Sequence, residues 1–389
     1  MSVPQPISYR ICTRCVMDSS DAHISFDKNG YCNHCREYEL KIGQELPDPP
    51  TAASLLQNLV RKIKEDGRGK AYDCVIGLSG GVDSSYVALQ VKRLGLRPIG
   101  IHLDNGWNSE LAVQNVENTV RKLKIDLITK VLDWSEFSDL QRSFFYASVP
   151  NCEAPTDHAI VASLFQCAAK FRIRYIISGS NLTTEGMHLP PEWGHDSKDW
   201  RNIRDIQRKH GKLTLKSFPH LTFPGFCWRL FVNRIRFTPL LNYLAYHKQE
   251  AIYTIQQELG WKNYGRKHGE SIFTRFYQEY YLPKKFGFDK RRLHLSTLIL
   301  SGQVLRADAL TQLAQPLFSA DELREYETLF LKKLKFTPEA WSQILQAKPQ
   351  AHTAYRHNCM LSKRDSALYR LGRRIATSRR HLPSKGAMS

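Results

Sequence analysis

Residues 79–84 read Ser-Gly-Gly-Val-Asp-Ser and sit between two segments of different periodicity. Upstream, residues 71–78 are a near-continuous apolar run, the pattern of a strand buried on both faces of a parallel sheet. Downstream, residues 85–94 carry helical periodicity and stop at Gly95. Strand, glycine loop and helix in this order make an anion site. The glycines admit the backbone close to a phosphate chain, successive N–H groups form a nest, and the helix N-terminus adds its positive end. The run lacks the Walker spacing GxxxxGK[ST] and is not GxGxxG, which disfavours a gamma-phosphate transferase and a dinucleotide enzyme.

The alternation continues along the chain. Strand patterns cover residues 97–104, 126–132 and 174–180, with helical patterns over 109–124 and 156–171. This predicts an α/β fold, a doubly wound parallel sheet with ligands at the carboxyl ends of its strands. The site is expected to gather Leu78, Ser79, Gly80, Gly81, Val82, Asp83 and Ser84 from the first strand end. The second should bring His102, Leu103, Asp104 and Asn105, and the fourth Gly179, Ser180 and Asn181. Asp83 is also placed to serve the first turn of its helix.

Ahead of the sheet lie two CxxC pairs, Cys12 with Cys15 and Cys32 with Cys35. Four thiolates at this spacing predict a closed, structural zinc ribbon, because catalytic zinc keeps a position open. His23 and His34 are left over as neighbouring or surface groups. The Pro-rich segment 47–51 reads as a linker and 52–64 as an amphipathic helix. Beyond residue 231, helical patterns at 240–259 and 321–333 predict a helical substrate or partner region, with Trp261, Tyr280 and Tyr281 as core. The expected division is a zinc ribbon over 1–46, the sheet domain over 52–230 and a helical domain over 231–389.

The 389 residues carry 56 Lys+Arg against 37 Asp+Glu, a net charge of +19, so polyanionic partners are favoured. Part of the surplus is a basic tail over 351–389, suited to phosphate or a peripheral contact with an acidic membrane face. An apolar run long enough for a span, or for a secretion signal at the start, is missing from the pattern, and a cytoplasmic location is expected.

The Ser79–Ser84 signature resembles the PP-loop of the N-type ATP pyrophosphatases, which have a HUP-like fold. The resemblance implies that the loop holds the outer phosphates of ATP, with Ser79 and Asp83 at pyrophosphate and Mg²⁺. The first two strand ends would hold adenine, and cleavage would fall between the alpha and beta phosphates. Further blocks lie at 151–160 (NCEAPTDHAI), 177–181 (ISGSN), 267–271 (KHGES), 282–292 (LPKKFGFDKRR) and 294–296 (HLS). With the four cysteines and the loop, over about residues 12–310, they resemble the N-acetyl sugar amidotransferases of lipopolysaccharide O-antigen biosynthesis.

That resemblance implies adenylation of the acetamido oxygen of a nucleotide-linked N-acetyl sugar, followed by displacement with ammonia to give an acetamidino sugar. Position 2 is Ser2 rather than the Cys of an N-terminal nucleophile glutaminase, and the chain contains no Gly-x-Cys-x-Gly elbow. The resemblance accordingly implies a separate glutaminase subunit like that of imidazole glycerol phosphate synthase, with a cyclase-like companion. Lys267 or Lys284 would meet the departing pyrophosphate. Asp157 and His158, opening a helix beside Cys152, are candidates for Mg²⁺ or sugar binding or proton relay. Glu185 and Glu270 are candidate Mg²⁺ ligands or bases, and Arg275, Arg291 and Arg292 candidates for a sugar diphosphate.

A rival reading is a zinc-ribbon PP-loop tRNA thiolase, in which sulfur displaces AMP. The net charge and Cys152 suit it, but the stretch after the fourth strand, residues 179–185, lacks the Gly-His-Asn and paired aspartates by which the thiolases resemble one another. A nucleic-acid partner is therefore not expected. An ATP-sensing scaffold is the remaining, non-enzymatic alternative.

Overall fold

A computed structural model describes residues 9–265 and 269–358. Five parallel strands form one sheet: β1 (Cys74–Gly77), β2 (Pro98–Asp104), β3 (Asp126–Val131), β4 (Tyr175–Ser178) and β5 (Arg236–Pro239). Their order is β3-β2-β1-β4-β5, so the winding reverses beside β1. In an open α/β sheet the crevice beyond the strand ends at that reversal is where ligands bind.

Alternation along β1 sorts its side chains between two cores. Ile76 packs with Val87 and Val91 of α3 (Val82–Arg93) and Val116 of α4 (Glu110–Leu123). Val75 packs on the other side with Ala162 and Phe165 of α6 (Ala154–Lys170). Local chemistry sets the helix ends. Ser109 accepts from the Ala112 N–H at the start of α4, and Asp133 from the Glu136 N–H at the start of α5 (Trp134–Ala147). At the start of α2 (Pro49–Asp66), Asp48 caps Thr51 while Pro49 takes the first turn, where a missing N–H costs nothing.

The helical expectation over 231–389 fails in one respect: the region contributes β5, which pairs with β4 from Tyr175↔Arg236 to Ser178↔Pro239. β5 is an edge strand in which only Thr238 is buried, so it carries no apolar run for periodicity to detect. The helical pattern at 240–259 also breaks: a short 3₁₀ turn at Leu240–Tyr243 precedes α10 (Lys248–Leu259). Helix α5, between β3 and α6, adds an element absent from the sequence reading.

The C-terminal region continues through α11 (Ile272–Phe276), a wide π-type turn at Tyr277–Tyr281, α12 (Leu282–Phe286), α13 (Arg291–Leu300), α14 (Arg306–Ala314), α15 (Ala320–Leu334) and α16 (Pro338–Gln346). Its core is aromatic. Phe145 of α5 meets Tyr281 edge-on at 4.8 Å, and Phe276 lies 4.5 Å from Phe330 of α15. The four N-terminal cysteines and Tyr38 of α1 (Asn33–Glu45) belong to the same buried cluster, so the cysteine knuckle and the C-terminal helices share one core. Tyr280 is only half-buried, whereas Trp261 and Tyr281 are buried as expected. Among the described residues, no helix is long and apolar enough to cross a membrane.

Candidate active site

The loop between β1 and α3 is folded by its own hydroxyls. Ser79 Oγ accepts from the Gly81 N–H at 3.2 Å and lies 3.1 Å from Ser84 Oγ, which donates to the Gly81 carbonyl at 3.0 Å. Gly80 has φ +84°, and a Cβ there would fall 2.6 Å from the Ala112 carbonyl oxygen, so only glycine fits. Two rings beyond the sheet hold its carbonyl: Trp261 Nε1 donates at 2.7 Å and Tyr264 Oη at 2.9 Å. Aimed at those donors, the Gly80 carbonyl is turned away from the anion space. Glu270 also borders the loop, since a Cβ on Gly81 would lie 3.7 Å from its Oε1.

Asp83, in the first turn of α3, accepts a hydrogen bond from the Tyr246 hydroxyl. Burial first, and Asp83 second, push that phenol upward, so Tyr246 is a protonated donor. Gly179 at the end of β4 packs directly on Asp83: a Cβ would meet the Asp83 Cβ at 3.0 Å. Glu185, at the end of α7 (Leu182–Glu185), is close enough to raise the same phenol. The charges of two carboxylates thus act on one tyrosine, that of Asp83 through a direct hydrogen bond, at the reversal between β1 and β4.

The β2 end is organised by His102. Its Nδ1 is 2.7 Å from the Leu78 carbonyl and its Nε2 3.1 Å from the Asn108 amide nitrogen. This pairing puts the proton on Nδ1, where it ties the first two strand ends together. The Leu103 carbonyl accepts from Asn108 at 3.4 Å. Asp104 accepts from the Gly106 N–H at 2.9 Å, shaping the turn, while Lys333 lies over Trp107 and Trp134 at 4.6 and 5.0 Å and feels the Asp104 charge. Asn105 donates to Thr156 Oγ1 at 3.4 Å, bringing the start of α6 to this strand end.

Asp157 therefore stands on the cleft wall. Its side chain is open to solvent although protein crowds it, and that crowding, with Glu153 next, pushes its carboxyl up to about 7. Lys290 and Lys198 oppose the shift, and Glu185 adds to it. Glu153 in turn is held by Gln278 at 2.8 Å and Lys290 at 3.4 Å. The carboxylates of Asp157 and Glu185 and the Lys290 ammonium thus act on one space.

Other candidates are occupied elsewhere. His158 is not a proton relay here: Nδ1 faces the Ser197 carbonyl at 2.8 Å, Nε2 accepts from the Leu221 N–H at 3.0 Å, and burial lowers it to about 4. Cys152 is fully buried, its Sγ on the Val149 carbonyl at 3.5 Å, and burial pushes the thiol far above its ordinary range, leaving it no sulfur-handling role. Asn181 caps α7, accepting from the Thr184 N–H at 2.8 Å, and Ser180 folds back on Ser178 at 2.9 Å. Lys284 is exposed on α12, and no hydrogen bond among the described residues joins it to the loop. Lys267 lies outside the described residues.

The three arginines do not form a diphosphate clamp. Arg275 is buried between Glu279 and Glu322 and beneath Phe318 and Tyr326. Arg291 binds Asp289 and the carbonyls ending α14. Arg292 grips Asp18 at 2.9 Å and the Val16 carbonyl at 2.9 Å.

The knuckle itself has the geometry of a metal centre. Its sulfurs are all buried, with Cys12–Cys35 at 3.8 Å and Cys15–Cys32 and Cys32–Cys35 at 3.6 Å. Tetrahedral zinc with Zn–S near 2.3 Å sets sulfurs about 3.8 Å apart, so the four thiolates fit a closed site. Backbone N–H groups of Arg14, Cys15 and Cys32 donate to Cys12 Sγ at 3.3 to 3.4 Å. Arg306 clasps the knuckle from outside, donating to the Cys12 and Cys15 carbonyls at 2.8 and 3.0 Å.

The loop contact of Trp261, a residue expected only as core, and the contacts of Tyr264 and Tyr246 are not legible in the sequence, because an aromatic ring carries no mark of which distant carbonyl or carboxylate it will meet. The chain as a whole is thus a parallel five-stranded α/β protein with a glycine-rich anion loop, a four-cysteine knuckle and a helical C-terminal region. Residues 270–368 match the family model described as LPS biosynthesis protein WbpG-like, C-terminal domain. No curated protein matches the chain.

Among solved structures, NMN synthetase from Francisella tularensis is similar over 74% of this chain and 97% of its own, at 15% identity and TM-score 0.35. NH3-dependent NAD synthetase from Campylobacter jejuni is similar over 65% and 97%, at 16% identity and TM-score 0.32. A predicted subunit of tRNA methyltransferase from Methanocaldococcus jannaschii is similar over 46% and 73%, at 18% identity and TM-score 0.26.

Proposed function

We propose that this chain is an ATP-dependent ligase of lipopolysaccharide biosynthesis that forms AMP and pyrophosphate. The glycine loop at the reversal of a parallel sheet carries the reading, and the WbpG-like match over 270–368 supports its pathway. Its substrate is a nucleotide-linked N-acetyl sugar, and its product an acetamidino sugar of the O-antigen.

An amide is a poor electrophile. Transfer of AMP to the acetamido oxygen, with the bond between the alpha and beta phosphates breaking, makes that carbon electrophilic and gives its oxygen a good leaving group. Ammonia then adds at the carbon, loses a proton, and AMP departs with the original oxygen. The loop N–H groups and the α3 terminus hold the pyrophosphate as its charge grows. Asp83 and Glu185 are the carboxylates that would hold Mg²⁺, which would supply positive charge against the phosphates, while Tyr246 orients Asp83. Asp157, raised to about 7, has the range of a proton acceptor for the attacking ammonia or the sugar. Ammonia comes from a separate glutaminase with a cyclase-like companion. The four cysteines hold zinc away from the chemistry.

The decisive experiment incubates the purified protein with ATP, Mg²⁺, ammonium and a nucleotide-linked N-acetyl sugar. AMP and pyrophosphate should form together, and the sugar should lose about one mass unit as C=O becomes C=NH, whereas sulfur would add about sixteen, following from the identity of the displacing nucleophile. ADP and orthophosphate as products would overturn the reading.

A further inference from the structure

Helix α9 (Phe223–Phe231) buries none of its residues fully, although six of its nine residues are Phe, Cys, Trp or Leu. One side holds on to the sheet: Phe226 and Leu230 pack against the cluster of Phe165, Leu221 and Ile235, and Arg229 donates to the Phe165 carbonyl at 3.2 Å. The opposite side is left in water. Pro224, Trp228 and Phe231 follow one another at helical spacing, with Trp228 62% exposed and Phe231 46%. The ridge continues off the helix through Val232, 54% exposed, to Phe237 on the edge strand β5, 40% exposed.

The chain segment that carries this ridge has charge of one sign. Residues 206–249 contain eight Lys/Arg and no Asp or Glu. Arg234 and Arg236 are both exposed between Val232 and Phe237. Asp66, which lies near Arg236 at the other end of the strands, is already held by Arg174 at 2.6 Å and Tyr175 at 2.9 Å. A tryptophan and a phenylalanine on an exposed helix face, edged by arginines and without a carboxylate in the segment, match an interfacial anchor for an anionic lipid surface. A second copy of the chain fits less well. A two-fold contact would set the patch against itself and bring Arg234 and Arg236 towards their own like charges.

We infer that the α9–β5 ridge docks this protein on the surface of a bilayer containing anionic phospholipid. The aromatic side chains enter the headgroup boundary and the two arginines meet the phosphates. The inference stands apart from the reaction, because it uses no residue of the loop or the cleft.

Flotation of the full chain with phosphatidylcholine vesicles, with and without phosphatidylglycerol, tests it. Binding should require phosphatidylglycerol and weaken with salt. Trp228→Ser with Phe231→Ser should reduce the partition coefficient at least tenfold. Arg234→Gln with Arg236→Gln should reduce it by more than tenfold, about fivefold for each charge removed. All four positions are exposed, so melting temperatures should stay near that of the wild type. The basic tail is intact in every protein, and its own lipid affinity cannot produce the difference. Wild-type-level binding by both variants, or absence of binding to the anionic vesicles, would overturn the assignment. So would a wild-type dimer in light scattering that Trp228→Ser with Phe231→Ser turns into a monomer.

Discussion

Asp83 and Tyr246 form a pair whose members sit 163 positions apart in the chain, and their separate substitution distinguishes two roles. Asp83→Asn keeps the shape of the first turn and removes the charge, so pyrophosphate formation should fall by about two orders of magnitude or more. Tyr246→Phe keeps the ring and removes one hydrogen bond to a charged group, a loss of about 1.5–3 kcal/mol that predicts a tenfold to hundredfold lower rate. Steady-state assays of released pyrophosphate measure both, and equal effects would mean that Tyr246 does more than orient Asp83. Asp157 supplies a pH signature. Its carboxyl is raised to about 7 in the folded protein, above the usual carboxylate value near 4, so the fold favours the protonated form. The unfolded chain gives up this proton more readily, and the native state therefore loses stability as pH climbs from about 4 to about 7. Asp157→Asn lacks this cost. Its melting temperature relative to the wild type should rise across that window and level off above it. A constant difference from pH 4 to 8 would contradict the shift.

At the scale of elements, the loop and strands β1, β2 and β4 could be read directly, because a buried parallel strand advertises itself as an apolar run and glycines punctuate its end, whereas β3, an edge strand with no buried residue, showed itself only by its β-branched residues Ile128, Thr129 and Val131. β5 could not: its only buried side chain is Thr238, and an edge strand needs no apolar period. The roles expected of Cys152 and His158 dissolved for a related reason. His158 follows Asp157 on α6, where neighbours point about 100° apart, and so turns towards the 197–221 backbone, while Cys152 lies in the turn ahead of α6 and points into the core. The cysteine knuckle was legible from spacing alone, whereas its dock was not, since Arg292 and Arg306 look like phosphate binders until Val16, Cys12 and Cys15 are seen beneath them. Arg306→Ala should therefore cost about 2–4 kcal/mol through two charged hydrogen bonds, read as a lower denaturation midpoint. Elemental analysis should find one zinc per chain. Chelation, or Cys32→Ser, should lower the melting temperature by roughly 10 °C, taking several kcal/mol of metal linkage at about 2–4 °C each. An unchanged melting curve after zinc loss would separate the knuckle from the common core.

For the whole molecule, a net charge of +19 makes approach to any nucleotide-bearing anion dependent on ionic strength. Turnover at subsaturating sugar should drop several-fold from about 50 to 500 mM salt while saturated turnover changes little, as long-range attraction acts on encounter rather than on chemistry. Equal losses in both regimes would place the salt effect inside the site instead. The clasp of the knuckle by α13 and α14 has its own bearing on how the chain is made. Val16 finds Ser296 only 280 positions further on, and Cys12 finds Arg306 294 positions further on. On the ribosome the cysteines emerge well before these partners and must wait, able to take up metal but lacking their outer support, until α13 and the start of α14 have been synthesised.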